Sequence, residues 1–240
     1  MGQRYYLDSA PGEDADAIVL EGSEAQHLIK VMRARPGDVV ELFDGSGMQW
    51  QATVTEVRRN EATLALEKPV SVSRESAIGL TLGIALPKGD RQKWVISKLV
   101  ELGVARVVPL ITENGVAQPV EKAMQRLRRQ VIEASKQCRR NQLMEITVPQ
   151  SLDEFLQNKS GPCWISHPSS AGGASEFHSI KSLQVKAGEA FVAIGPEGGF
   201  SKTEIAVAER AGWSALDLGE RILRIETAAI AVAAHLLLGR

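Results

Sequence analysis

The chain has 240 residues, which is enough for one large domain or two smaller ones. Hydrophobic residues make up 44% of it and charged residues 24%, as is usual for a globular protein with a substantial core. The formal net charge is −1, and the two cysteines, Cys138 and Cys163, lie far apart and outside any CxxC motif. This spacing argues against a structural zinc site and a disulfide scaffold, so we expect no metal and a reducing compartment.

We expect no part of the sequence to cross or enter a membrane. The N-terminal residues lack the apolar core of a signal peptide. The most apolar stretch, residues 227–238, is shorter than the roughly 20 residues that span a bilayer, and it contains His235. We predict that this stretch forms a buried helix and that the protein is cytoplasmic.

The first 72 residues predict a small β-rich unit with one helix. Ser23 and Gln26 have the spacing of a capping box, and apolar residues follow at helical intervals until Pro36 ends the helix. Three segments of strand-like composition come next, separated by short turns at residues 44–47 and 58–61. A helix followed by three strands favours a small closed barrel.

Beyond a polar, serine-rich segment at residues 69–77, strands alternate with helices. We predict strands at the apolar segments 78–86, 104–112, 163–167, 189–195 and 214–219. We predict helices from residue 91, across 121–141, at 201–211 and at 224–238. This alternation is typical of an α/β domain with a parallel sheet. The sequence therefore predicts two domains, residues 1–72 and residues 73–240.

Residues 121–141 form the most basic segment of the chain. The first 72 residues contain 7 Lys or Arg against 12 Asp or Glu, which leaves 21 against 17 for the rest. A basic cluster attracts polyanions and would suit RNA phosphates. A solvated helix face explains the same composition equally well, and the sequence leaves both interpretations open.

Two glycine-containing turns follow strands at the predicted ligand edge of the sheet. The first, GPEGGF at residues 195–200, comes after the apolar segment FVAI and before a capping box formed by Ser201 and Glu204. Its glycines allow the backbone to approach a ligand closely. The spacing matches neither the dinucleotide fingerprint nor a P-loop. A tight turn without a ligand is the alternative interpretation.

The second turn, LGERILR at residues 218–224, also leads from a strand into a helix. Arg221 and Arg224 alternate with apolar residues, so the backbone can line a pocket while an arginine reaches an anion or a carboxylate. A simple pair between Arg224 and Glu226 at the start of the helix is the alternative. His167 ends a strand at the same edge, where it can serve as a pocket wall or as a structural residue.

Together the two turns resemble those of the SPOUT superfamily of RNA methyltransferases. The resembling motifs are GPEGGFS at 195–201, LGxRILRxET at 218–227 and an alanine-rich closing helix. The whole chain resembles the bacterial 16S rRNA uridine-N3 methyltransferase family, because further family motifs occur in the same order. These motifs are RYY at 4–6, HL at 27–28, RPGD at 35–38, FDGSG at 43–47, KGDR at 88–91, ELGV at 101–104, QC at 137–138 and RN at 140–141.

The resemblance implies a PUA-like barrel that helps to bind RNA and a SPOUT-type α/β methyltransferase domain with a trefoil knot, which is a rare exception to the rule that chains do not thread loops. It also implies a homodimer that uses S-adenosylmethionine to form 3-methyluridine in 16S rRNA, near the decoding region of the small ribosomal subunit. The expected cofactor contacts are Ile194, Gly195, Gly198, Gly199, Leu218, Gly219, Ile222 and Leu223. The expected RNA contacts are Arg4, Arg33, Lys88, Arg91, Arg140 and Asn141.

Methylation of uracil N3 requires loss of a proton, so a proton acceptor and a stabiliser of the anion would help. Arg224 is the candidate stabiliser of the uracil carbonyls. Glu226 or Glu197 is the candidate acceptor, and we expect Glu197 mainly to shape its turn. The sequence leaves the identity of the base open.

Three positions depart from the family pattern. Asn114 occupies a position where arginine is usual, Arg139 one where glycine is common, and Ile225 one where threonine is usual. A non-catalytic RNA-binding adaptor of the same fold is the alternative function, and Ile225 is the feature that favours it. A nucleotide-binding enzyme of another class is disfavoured because the phosphate-binding motifs are missing.

Overall fold

The computed structural model of the chain describes residues 3–12, 14–115, 120–157, 160–171, 174 and 176–238. The chain divides into two compact units, Met1–Glu75 with Ser135–Leu143 and Ser76–Ala134 with Met144–Arg240. The first unit therefore includes a short segment from the second half of the sequence, and the predicted boundary after residue 72 stays a prediction. In the described residues, no helix is long and apolar enough to cross a membrane.

The first unit is built on a six-stranded sheet. Its strands are β1 (Arg4–Tyr6), β2 (Ala17–Leu20), β3 (Val39–Phe43), β4 (Met48–Val57), β5 (Ala62–Leu66) and β6 (Val70–Ser71). They pair in the order β1-β3-β4-β5-β2 with β6 beside β4, and every pair is antiparallel except β1 with β3. The three strands expected from the sequence correspond to β3, β4 and β5. The other three strands have two to four residues each and are too short to show a period in the sequence.

Alternating side chains on β4 explain how this sheet builds its core. Trp50, Ala52 and Val54 are buried, whereas Gln51 and Thr55 are exposed. The buried residues pack together with Leu28 and with side chains of the neighbouring strands.

The helical segment of the first unit consists of α1 (Gly22–Gln26) and a π-helical turn at His27–Val31. The predicted capping box of Ser23 with Gln26 is wrong, because the helix begins at Gly22 after Glu21 and no side chain caps it. Pro36 is not the residue that ends the segment either. The segment stops earlier, and Arg33 then turns the chain with a positive φ of 54°.

The second unit is an α/β domain. Its strands are β7 (Ile78–Ile84), β8 (Arg106–Ile111), β9 (Glu145–Ile146), β10 (Gln150–Ser151), β11 (Cys163–Ser166), β12 (Phe177–Ser179), β13 (Gly188–Ile194) and β14 (Ser214–Asp217). Its helices are α2 (Arg91–Leu102), α3 (Glu121–Cys138), α4 (Leu152–Leu156), α5 (Lys202–Arg210) and α6 (Ile225–Leu238), and the last turn of α3 belongs to the first unit. The strands pair in the order β10-β8-β7-β13-β11-β14-β12, with β9 beside β8, and every pair is parallel. The predicted parallel α/β domain is confirmed.

The predictions for the helices α5 and α6 are confirmed. The capping box of α5 is confirmed, since Ser201 Oγ accepts the N–H of Glu204 at 3.1 Å and Glu204 accepts the N–H of Ser201 at 2.7 Å. Helix α6 is the predicted buried helix; Ala229, Val232 and Ala233 are fully buried in it. It packs against α2 and β7. Four short elements, β9, β10, β12 and α4, were not predicted because two to five residues carry too little pattern.

Strand order brings the predicted ligand-binding segments together. Strands β13, β11 and β14 are parallel neighbours, so their carboxyl ends lie at the same edge of the sheet. The chain leaves these strands after Ile194, Ser166 and Asp217. The loops that follow must therefore lie side by side.

Candidate active site

One cleft at this edge is lined by both glycine-containing turns, here called the first glycine turn (residues 195–200) and the second glycine turn (residues 218–224). The loop after β11 adds Ser166, His167 and Pro168 to the lining. All eight residues expected to contact the cofactor line the cleft: Ile194, Gly195, Gly198, Gly199, Leu218, Gly219, Ile222 and Leu223. The sequence therefore predicted correctly that the two turns share one space, and the contact of each residue with a cofactor stays a prediction.

Glycine is needed at two positions of this lining. Gly199 and Gly219 have φ values of +72° and +108°, which residues with a side chain rarely adopt. A Cβ added at either position would meet nothing within 4 Å, so the space in front of both is open. At these two positions the wall presents backbone rather than a side chain, which suits a flat, hydrogen-bonding group such as an adenosyl moiety.

His167 lines the cleft and is 6% exposed. Its backbone N–H donates to the carbonyl of Leu216 at 3.0 Å. Its ring stacks near the ring of Phe177, with centroids 6.1 Å apart. His167 therefore lies at the pocket wall and is held there by structural contacts. Within the described residues, no group of three or more His, Cys, Asp or Glu could hold a metal ion.

Arg91 lies between two carboxylates at the cleft. Its guanidinium is 3.4 Å from Glu197 Oε1, on the first glycine turn, and 3.6 Å from Glu226 Oε1, in the first turn of α6. The side chains of Arg91 and Glu197 are 42% and 48% exposed, whereas that of Glu226 is 8% exposed. Glu226 therefore holds Arg91 from the buried side. Glu197 lines the cleft and is the carboxylate that a ligand can reach.

The two arginines of the second glycine turn differ in position. Arg221 lines the cleft, whereas Arg224 is exposed and does not. The alternative pair of Arg224 with Glu226 is absent among the described contacts, because Glu226 binds Arg91. Ile225, where the family usually has threonine, is buried and lines the cleft, so its side chain adds apolar surface there.

Three of the six expected RNA contacts are buried in the first unit. Arg4, Arg140 and Asn141 are 8%, 4% and 1% exposed. The Arg4 guanidinium lies 2.8 Å from Glu41, donates to the carbonyl of Ser135 at 2.8 Å and donates to the side chain of Asn141. Their burial contradicts the expectation of direct RNA contact.

The rest of this group is equally enclosed. Arg140 Nε donates to Glu75 at 2.9 Å, and Asn141 Nδ2 donates to the carbonyl of Val72 at 3.0 Å. Burial lowers the pKa of Arg4 to about 10, although Glu41 opposes that shift. This burial could not be predicted from the sequence, because an arginine in a short motif can bind either RNA or the protein itself. Arg33 and Lys88 are exposed and stay candidates for RNA contact.

Comparison with known proteins shows which family the chain belongs to. Residues 74–237 match the RNA methyltransferase domain family, and residues 20–67 match the RNA methyltransferase PUA domain family. Ribosomal RNA small subunit methyltransferase E from Synechocystis is 32% identical over 231 residues, which cover 93% of this chain and 74% of the relative. The chain belongs to the ribosomal RNA small subunit methyltransferase E family.

Solved structures of this family carry the same fold. A methyltransferase from Legionella pneumophila in complex with S-adenosylmethionine has a TM-score of 0.88 and 32% identity, with coverage of 98% of this chain and 97% of that chain. Ribosomal RNA small subunit methyltransferase E from Neisseria gonorrhoeae, bound to S-adenosylmethionine, has a TM-score of 0.86 and 29% identity, with coverage of 98% and 96%.

Membership of the methyltransferase E family confirms the resemblance, the class of activity and the PUA-like nature of the N-terminal domain. It does not favour the alternative of a non-catalytic adaptor, since the matched region is the methyltransferase domain itself. Sequence reasoning named both arginines of the second glycine turn but did not show that Arg221, and not Arg224, lines the cleft. It also missed the position of Arg91 between two carboxylates.

Proposed function

We propose that this protein transfers the methyl group of S-adenosylmethionine to N3 of a uridine in 16S rRNA, near the decoding region. The observation that carries the proposal is the cleft walled by two backbone turns, with a reachable carboxylate at its edge. S-adenosylmethionine, when bound, supplies a methyl group on a positively charged sulfur. The residues of the chain then have to hold the donor, orient the base and accept a proton.

The cleft residues divide these tasks by chemistry. Backbone groups of Gly195, Gly199, Leu218 and Leu223 would hold the adenosyl group, since all four residues line the cleft and the space in front of Gly199 is open. Arg221 would pair with the carboxylate of the methionyl part, because it is the arginine that lines the cleft.

Glu197 is the residue that we propose as acceptor of the N3 proton. Its carboxylate is half-exposed at the cleft, whereas the carboxylate of Glu226 is too buried to meet a substrate. Arg91 holds the Glu197 carboxylate in place at 3.4 Å, and Glu226 fixes Arg91 from its other side at 3.6 Å. Arg224 is exposed on the second glycine turn and is the proposed stabiliser of the uracil carbonyls, where negative charge develops.

RNA would be held through phosphates and the target base turned out into the cleft. Since three expected contacts are buried, the exposed basic residues carry this role in the proposal. They are Arg33 and Lys88, together with Lys122, Arg126 and Arg129 on the exposed side of α3.

A trefoil knot and a homodimer complete the proposal. Strand β14 lies between β11 and β12, yet the chain that follows it returns to pack α6 against α2 and β7. This return path supports threading of the second glycine turn through an earlier loop. Ile222 at the cleft is 89% exposed, which supports a second copy of the chain beside the cleft. We place the protein in the cytoplasm, where its rRNA substrate is found.

Mass mapping of nucleosides in 16S rRNA tests the function directly. We expect one 3-methyluridine in the RNA of cells that carry the gene, its loss on deletion and its return with purified protein and S-adenosylmethionine. The Glu197→Gln variant should not restore it at the same rate. An unchanged pattern of uridine methylation after deletion would disprove the proposal. A thermal-shift comparison of S-adenosylhomocysteine with NAD and ATP tests the cofactor class, and only the first should stabilise the protein.

A further inference from the structure

The turn after β8, at residues 112–115, contacts the first glycine turn from outside the cleft. Asn114 Nδ2 donates to the carbonyl of Gly199 at 3.1 Å. A Cβ added at Gly198 would lie 3.3 Å from the Cβ of Asn114, so the two segments are in close contact there. Asn114 thus holds the two consecutive glycines that line the cleft.

Glu204 ties the same two segments together at a second point. Its Oε2 accepts the N–H of Ser201 at 2.7 Å, which is the capping bond, and its Oε1 accepts the N–H of Glu113 at 2.9 Å. The residue is 8% exposed, so both bonds are shielded from water. One carboxylate therefore fixes the end of the first glycine turn to the turn after β8.

External support of this kind adds to the turn's own hydrogen bond, which the Gly199 N–H donates to the Pro196 carbonyl at 2.8 Å. Three of its six residues are glycines, and Gly199 has a positive φ. Glycine loses more conformational freedom on ordering than other residues. A turn that is already ordered binds its ligand with less loss of entropy.

We propose that Asn114 and Glu204 are positioning residues that hold the first glycine turn in its cofactor-binding geometry. The inference rests on the proposed function, because it assumes that this turn binds the adenosyl group. It assigns a role to Asn114 at a position where the family usually has arginine. Neither residue lines the cleft, and both act through the backbone of the turn.

The affinity for S-adenosylhomocysteine, measured by titration calorimetry, tests this inference. Asn114→Ala removes one hydrogen bond from an exposed side chain and should weaken binding about three- to tenfold with little change in Tm. Asn114→Asp should weaken it further, because a carboxylate without a donor then faces the Gly199 carbonyl. Thr203→Ala, an exposed change on the same helix as Glu204, is the matched control and should leave affinity unchanged.

Glu204→Gln keeps the size of the side chain but replaces one acceptor by a donor that faces a backbone N–H. We expect the KM for S-adenosylmethionine to rise while the KM for RNA and the kcat at saturating cofactor stay constant. Wild-type affinity in both Asn114 variants, or a lower Tm without a change in affinity, would overturn the inference and leave the proposed function intact. Failure of the wild-type protein to bind S-adenosylhomocysteine would instead overturn the proposed function, and the inference with it.

Discussion

Two groups of arginines and carboxylates, one in each unit, look alike in the sequence and differ in the structure. In the second unit, Arg91 lies between Glu197 and Glu226 with 42% of its side chain exposed. In the first unit, Arg4 lies against Glu41 with 5% of its side chain exposed. Both arginines belong to short motifs that predicted RNA contact. The group around Arg91 leaves a carboxylate accessible to a ligand, whereas the group around Arg4 is enclosed by protein.

The difference shows what burial does to a charge. A guanidinium enclosed by protein needs polar or charged partners, and that of Arg4 lies against Glu41, a backbone carbonyl of α3 and the side chain of Asn141. It therefore joins segments that are distant in the sequence. An exposed guanidinium such as that of Arg91 is solvated and can exchange partners, so it can serve a binding site.

Removing Arg4 should have the largest effect of the changes considered. Arg4→Ala leaves the buried carbonyls of Ser135 and Arg140 without this donor and leaves Glu41 with Arg139 alone, and we expect a loss of about 3–5 kcal/mol in the free energy of unfolding. Urea titration measures the loss. Arg33→Ala, an exposed change, should stay within about 0.5 kcal/mol of the wild type. Equal losses of unfolding free energy for the two variants would contradict the distinction between enclosed and exposed arginines.

Glu197→Gln should have the next largest effect, and it tests the accessible group around Arg91. Without an acceptor for the N3 proton, we expect kcat to fall about a hundredfold, with unchanged stability and RNA affinity. Methyl transfer from labelled S-adenosylmethionine to 16S rRNA measures it. Glu189→Gln, an exposed change at the start of β13, is the control. An equal rate for Glu197→Gln would exclude this residue as the proton acceptor.

Gly219→Val should weaken cofactor binding at least about tenfold, because a branched side chain both opposes the positive φ and fills the open space. Gly212→Val carries a similar backbone cost, since Gly212 has a φ of +80°, but it does not line the cleft. It should therefore lower stability without changing the affinity for S-adenosylhomocysteine. Calorimetry of both variants separates strain from loss of the site.

Tyr5 offers the smallest test, through pH. Burial raises the pKa of Tyr5 above its ordinary value of 10, so the folded state keeps a proton that the unfolded state loses. Stability should then fall above pH 10 by at most about 1.4 kcal/mol per pH unit. Tyr5→Phe should lack this part of the decline in urea titrations at pH 9 to 11. Parallel curves for the two proteins would show that the Tyr5 hydroxyl is not enclosed.

Much of the second unit was predictable because its segments are long and periodic. Helix α6 and the strands β7 and β13 have continuous apolar sequences, and the two glycine turns follow their strands directly. Parallel neighbours then place these turns at one edge. The shared cleft was therefore accessible from sequence and topology together.

The buried group of the first unit was not predictable for a physical reason. Its members come from β1, β3 and the segment after α3, and no local pattern shows that residues 135–143 pack within the first unit. Arg139 illustrates this, since it keeps a positive φ of 63° where the family commonly has glycine. A positive φ is uncommon for a residue with a side chain, so the identity of Arg139 does not predict it. The contacts of Asn114 and Glu204 with the first glycine turn were also not predicted. A capping box predicts the hydrogen bond of Glu204 with Ser201 but not its second bond, with Glu113.

Amide chemical shifts of the isotope-labelled protein, recorded with and without S-adenosylhomocysteine, test the central claim most directly. If two backbone turns close over one adenosyl group, the largest shifts will lie at residues 194–200 and 218–223, and the amide of Gly212 will not move. Saturable binding with its largest shifts elsewhere in the chain, and none in these two turns, would contradict the account.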